Sequence, residues 1–135
     1  MQKIKEFFTS EDKFARHAGI ELVDLGPGWA KTSMKIEPFH LNGAKTVHGG
    51  ALFTLADFAF AVASNSYGTL AMGINTSMSF VKAGLQGTLH AEARELSQNG
   101  KLAVYSVTIT DDAGDTVALF QGMVYRKHDS IIPAG

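Results

Sequence analysis

The stretch Val47–Gly68, VHGGALFTLADFAFAVASNSYG, decides the fold. From Gly50 to Ala63 it is apolar almost all round, through Ala51, Leu52, Phe53, Leu55, Phe58, Phe60 and Val62. A helix of that kind is enclosed by other structure rather than laid on a surface, and at helical rise it covers about 21 Å. One narrow stripe interrupts the apolar girth: Thr54, Asp57, Ala61 and Ser64 recur at spacings of three and four, which puts one carboxylate on a small, polar face. His48, Gly49 and Gly50 open the helix. First-turn N–H groups lack partners within a helix and carry the positive end of its dipole, and glycine lets an oxygen approach them with no Cβ in the way. A developing oxyanion fits such a position. The same residues also fit a plain tight turn, with Asp57 a satisfied polar side chain near the surface.

At 135 residues and 45% hydrophobic, the chain can bury a core without help from metal or disulfide. It has no cysteine, which excludes disulfides, thiolate zinc sites and cysteine nucleophiles. A formal charge of −1 with scattered lysines and arginines argues against a nucleic-acid partner. The N-terminal MQKIKEFFTSEDK holds no apolar run long enough for a signal peptide or a membrane span, so a cytoplasmic protein without a membrane partner is expected.

Around the central helix the chain reads as short elements. Residues 3–18 suggest two short helices, or one bent at Ser10, where Glu11 and Asp12 follow a candidate N-cap. Ile20–Leu25 is extended, Gly26-Pro27-Gly28 turns, and Trp29–Ile36 alternates Ala30, Thr32, Met34 and Ile36 against polar residues until Pro38. Residues 39–46 form a loop into the helix. Beyond it, Thr69–Val81 reads as a strand with one polar side, and Thr88–Ser97 and Lys101–Thr110 are joined by an Asn99-Gly100 hairpin turn. Thr116–Arg126 is apolar on both faces, and 129–135 is a loose tail. With no repeat or composition break, residues 1–135 are expected to form a single α+β domain: a long central helix wrapped by a curved antiparallel sheet of about five to six strands.

Asn42, then His48-Gly49-Gly50, then Asp57 form the pattern N-x5-HGG-x6-D, with Phe80–Gly84 (FVKAG) and Asn99-Gly100-Lys101 following. Over roughly residues 14–127 this resembles the PaaI-type acyl-CoA thioesterases of the hotdog superfamily. The resemblance implies a hotdog fold and hydrolysis of a small or medium acyl-CoA, phenylacetyl-type aromatic groups included, with no cofactor and no metal. It makes Gly49 the backbone donor to the thioester carbonyl, with Gly50 and Thr54 beside the substrate. Asp57 becomes the carboxylate that activates water or attacks directly, and Asn42 and His48 line the same pocket. The family's usual strand serine or threonine is replaced here by Gly73, leaving Asn75 or Ser77 as substitutes. Lys82 is the first candidate to meet the phosphates of coenzyme A, ahead of Lys101 and Arg126.

Distance adds a constraint of its own. Gly49 and Asp57 stand eight residues apart on one helix, hence about 12 Å along its axis, so one thioester cannot use both from a single copy. Two antiparallel helices related by a twofold axis bring Gly49 of one beside Asp57 of the other. The resemblance implies the same homodimer, with sites across its interface and dimers pairing into a homotetramer. Two rival readings stand beside the thioesterase: a non-catalytic acyl-CoA-binding or sensing module, in which a retained Asp57 has no purpose, and a hydro-lyase, for which no His–Asp pair is evident.

Overall fold

The computed structural model describes residues 1–132. Ten residues of apolar period form α1 (Gln2–Glu11), which buries Ile4 and Phe8, and α2 follows at Lys13–His17. The break between them lies at Asp12, whose side chain accepts from the Ala15 N–H at 3.1 Å. Ser10, the expected cap, instead turns its hydroxyl back onto the Glu6 carbonyl at 3.0 Å. Ser10 still lies inside α1, where its hydroxyl back-bonds to the preceding turn, so the cap falls to Asp12, the first residue outside it.

Strands β1 (Ile20–Gly26) and β2 (Trp29–Lys35) come next, then a 3-10 turn at Pro38–His40 inside the expected loop, then the long helix α3 (Gly49–Ser64). After it run β3 (Thr69–Phe80), β4 (Thr88–Gln98), β5 (Leu102–Thr110) and β6 (Thr116–Ser130). All strand pairs are antiparallel, in the spatial order β1-β2-β4-β5-β6-β3. The concave side of this sheet wraps α3, which packs chiefly on β2, β4 and β5. This is the hotdog arrangement. Alternation does the wrapping: Ala30, Thr32 and Met34, then Leu89, Ala91 and Ala93, then Tyr105, Val107 and Ile109 all face the helix and are buried.

On α3 itself Leu55, Ala56, Ala59, Val62 and Ala63 are fully enclosed, and Phe60 is 2% exposed. Burying a side chain such as Phe60 stabilises by about 1.5–3 kcal/mol. Its ring fills the space left by two glycines, Gly73 on β3 and Gly122 on β6. The far end of α3 is stitched down by Asn65, whose amide donates to Ala61 O at 2.8 Å and whose oxygen accepts from Ala71 N at 2.9 Å. Ser66 repeats the device, donating to Ala63 O and accepting from Gly28 N. Buried and satisfied, these two residues fix where β3 begins.

One further expectation is corrected. The last strand does not stop at Arg126 with a loose tail after it: β6 continues to Ser130, which pairs with Thr69, and Ile131 and Ile132 pack partly buried against the core. Of the expected tail, residues 133–135 lie outside the described residues. Strand β6 is apolar on both faces as expected: Val117, Phe120 and Val124 are buried, while Leu119 and Tyr125 face outward at 47% and 43% exposure.

A methyl added at Gly122 would stand 2.6 Å from the Phe60 ring. Gly122→Ala is therefore expected to destabilise the fold by about 1–3 kcal/mol in a denaturant titration, as overpacking does. Wild-type stability in that variant would show that Phe60 does not depend on the glycine.

Candidate active site

The approach to α3 is a built loop. Leu41 bridges to Val47, and Asn42 organises the residues between: its side-chain oxygen accepts from Ala44 N at 2.9 Å and Thr46 N at 3.2 Å, and its amide donates to Thr46 Oγ1 at 3.0 Å. One amide hydrogen of Asn42 remains for the cleft that it lines. His40 is 3% exposed, takes the Glu37 N–H on Nδ1 and reaches Ala18 O from Nε2 at 2.6 Å. Its carbonyl then accepts from His48 N at 2.7 Å, so this buried ring holds the loop that presents His48.

His48 is the N-cap of α3, and its imidazole Nδ1 accepts from the Gly50 N–H at 2.9 Å. The N–H groups of Ala51 and Leu52 go to the His48 carbonyl. Of the first-turn amides this leaves Gly49, whose N–H has no acceptor among the described residues. It faces a cleft of about 410 Å³ lined by Asn42, Gly49, Leu52, Phe80 and Lys82. A free N–H beside a cleft at the positive end of a helix is an arrangement suited to stabilising an oxyanion.

Asp57 lies two turns along, exposed in the lone chain beside exposed Phe53 and half-buried Thr54 and Ala61. No hydrogen bond among the described residues supports its carboxylate. Withdrawal from water among apolar neighbours pushes its pKa up, and the charge of Asp12 adds to the rise. Thr54 contributes little to this face, since its hydroxyl is spent on the Gly50 carbonyl at 2.8 Å.

Strand β3 departs from its expected faces. A bulge between Gly73 and Asn75 breaks the alternation, so Gly73 faces Phe60 while Asn75 and Ser77 pair with Met123 and Gln121 on the outer side of the sheet. The proposed substitutes for the missing hydroxyl thus point away from α3. Thr76, paired with Gly122, takes the helix side instead. Period-two counting missed it because nothing in the sequence marks a bulge at Ile74. Lys82 reaches the cleft, but its ammonium is held 2.7 Å from both Asp111 and Asp115. These hydrogen bonds, Asp111's first, raise its pKa, and the two carboxylates outweigh its single positive charge.

The structure thus brings together Asn42, Gly49 and Lys82, with His48 and Gly50 locked into the cap, and leaves Asp57 and Thr54 on the open helix face. The family profile described as thioesterase superfamily matches residues 44–118. The chain belongs to the thioesterase superfamily. Its reaction class is thioester hydrolysis. Acyl-coenzyme A thioesterase PaaI of Escherichia coli is 38% identical over 116 residues, spanning 85% of this chain and 83% of the relative. The solved structure of the E. coli PaaI protein from the phenylacetic acid degradation operon superposes with a TM-score of 0.93 at 34% identity, covering 97% and 96% of the two chains. The smu.793 protein of Streptococcus mutans, solved bound to acetyl CoA, matches at 25% identity with a TM-score of 0.78, over 82% of this chain and 90% of that one.

A carboxyl whose pKa rises on folding favours the protonated form. Its stabilising contribution is therefore present in acid, below the ordinary carboxylate value, and is lost as pH rises through the raised one. Asp57→Asn has no charge to desolvate, so it is expected to melt at a higher temperature than wild type at neutral pH, the gap closing below about pH 4. A lower melting temperature for the variant at neutral pH would mean that the carboxylate is stabilised, not strained.

Proposed function

We propose that the protein is a cytoplasmic acyl-CoA thioesterase acting on small or medium acyl groups, phenylacetyl-type aromatic ones among them, with each site shared between two copies. The observation that carries this reading is the pairing of an unsatisfied Gly49 N–H with an unsupported Asp57 carboxylate on one helix, about 12 Å apart. Each is left without a partner among the described residues of one chain, and each gains a purpose when a second, antiparallel helix supplies the other.

In this reading the thioester oxygen accepts from Gly49 N–H while Asp57 of the second copy lies on the far side of the carbonyl carbon. Asp57 either takes a proton from the attacking water or attacks the carbonyl itself. Both routes form a tetrahedral oxyanion at Gly49, which collapses by expelling the coenzyme A thiolate; direct attack leaves an acyl–Asp57 anhydride, which water then hydrolyses to the free acid and the carboxylate. The cap by His48 keeps Gly50 out of competition for the oxygen and fixes the direction of the Gly49 N–H. Leu52 and Phe80 give the cleft apolar walls for the acyl group.

The edge of the sheet supports the assembly. Strand β3 has an open side, spans twelve residues and buries only Ala71, while Met72, Ile74 and Phe80 stand 50%, 55% and 57% exposed. A long, exposed, apolar edge is a template for strand pairing. Antiparallel pairing of two β3 edges makes a dimer, and the outward Leu119, Met123 and Tyr125 offer a face on which dimers pair into a tetramer.

Free thiol release from an acyl-CoA panel tests the activity. Wild type is expected to hydrolyse several short or aromatic thioesters, and Asp57→Asn to lose about 10²–10⁴-fold in kcat while remaining folded. An Asp57→Asn variant within tenfold of wild type would remove Asp57 from the chemistry, and CoA binding without release would favour the sensing module.

A further inference from the structure

His40 closes the 3-10 turn Pro38–His40 with its ring buried beside that of Phe39, the two centroids 4.1 Å apart. Each of its four polar atoms is bonded to backbone. Nδ1 accepts from Glu37 N at 2.9 Å and Nε2 reaches Ala18 O at 2.6 Å. The residue's own N–H donates to Glu37 O at 2.9 Å, and its carbonyl accepts from His48 N at 2.7 Å. A backbone N–H only donates and a backbone carbonyl only accepts, so the ring is neutral and carries its proton on Nε2. Ala18 is the C-cap of α2, and Gly19 follows it in left-handed backbone, φ 80°, where a Cβ would stand 3.9 Å from the ring. The ring therefore ties the end of α2 to the loop that enters α3.

We infer that His40 is a positioning residue for thioester hydrolysis, aiming the Gly49 N–H through the peptide plane between His48 and Gly49; the inference rests on the acyl-CoA reading above. That plane holds the His48 carbonyl and the Gly49 N–H, and neither turns without the other. From the helix side the carbonyl is held by Ala51 N at 2.9 Å and Leu52 N at 3.1 Å, bonds that move with α3. From the loop side the hold is His48 N on the His40 carbonyl, and His40 is in turn fixed by α2 and by Glu37. The donor is thus gripped between its own helix and a brace anchored outside that helix. An apolar side chain of similar bulk would fill the space but leave Glu37 N and Ala18 O without their partner, freeing the turn to shift against α3. Displacing a group aligned with the reacting atoms by about 1 Å costs on the order of 10²-fold in rate. His40 is not among the residues lining the cleft of Asn42, Gly49, Leu52 and Phe80, so the loss falls on kcat and spares KM.

The test compares His40→Leu, which keeps the bulk and removes both ring contacts, with His40→Gln, whose amide again offers a donor to Ala18 O and an acceptor to Glu37 N. In the whole protein, kcat for acyl-CoA is expected to fall about 10–100-fold in His40→Leu with KM within about twofold, and to return to within about threefold of wild type in His40→Gln. In a nitrogen–proton correlation spectrum recorded without substrate, the Gly49 amide resonance is expected to shift and to exchange with solvent faster in His40→Leu, while that of Asp57 stays in place. Where His40→Leu does not fold, His40→Asn, which gives up only the Ala18 contact, is read against wild type in the same two measurements, with a loss of about tenfold in kcat expected. A folded variant with wild-type kcat, a fall in kcat matched by a rise in KM, or an unmoved Gly49 resonance would overturn the role. Because the spectrum needs no turnover, a Gly49 resonance that moves in a protein releasing no CoA would retract the proposed activity and leave the coupling to His40 standing. Release of CoA that the variant leaves unchanged would overturn the coupling and leave the activity.

Discussion

An apolar helix must be covered on every side, and α3 is covered by its own chain on all sides but one. The sheet curls because it has to reach round a cylinder whose buried residues include Leu52, Leu55, Phe58, Phe60 and Val62. Small residues facing the helix, Ala30, Ala91, Ala93 and Ala103, let the strands come close, and large ones, Met34, Leu89 and Tyr105, fill the flanks. The remaining side carries Phe53, Thr54, Asp57 and Ala61. Strand β3, flanking that side, is left with its edge open and its apolar residues in water. The incompleteness of the core and the incompleteness of the site are the same feature.

The chemistry inherits this division. A helix N-terminus offers several N–H groups, and the chain consumes all but one: Gly50's on the His48 ring, Ala51's and Leu52's on the His48 carbonyl. What is left is a single directed donor, held by a loop that is itself held by Asn42 and by the buried ring of His40. Preorganisation of this sort lets a backbone amide stabilise a transition state without moving at the moment of reaction. Asp57 differs: among the described residues its carboxylate has no hydrogen-bond partner, and loss of water with the charge of Asp12 raises its pKa.

Much of this was legible before any coordinates. The girth of Gly50–Ala63 announced an enclosed helix, period-two alternation placed β2, β4 and β5 with their faces, and the Asn42 to Asp57 pattern carried the family. What the sequence hid falls into a few physical kinds. The bulge in β3 turned Asn75 and Ser77 outward and Thr76 inward, and a bulge has no composition to betray it. Lys82 lost its freedom to Asp111 and Asp115, residues distant in sequence that the β5–β6 hairpin brings back. Asp12 rather than Ser10 caps α2 because α1 runs on through Ser10 to Glu11 and takes up the serine hydroxyl on its own Glu6 carbonyl. Long-range pairing likewise extended β6 to Ser130, where Thr69 supplies a partner that the local pattern does not mention.

The central claim is that one helix supplies the oxyanion donor and another the carboxylate, and mixing inactive partners addresses it most directly. Gly49→Val blocks the approach to the donor, and Asp57→Asn removes the carboxylate. Dissociating and reassembling the two variants in equal amounts makes half of the dimers mixed, each with one intact site of two, so activity is predicted to recover to about a quarter of wild type. Proven subunit exchange with no recovery would contradict the account and place the whole site within a single chain.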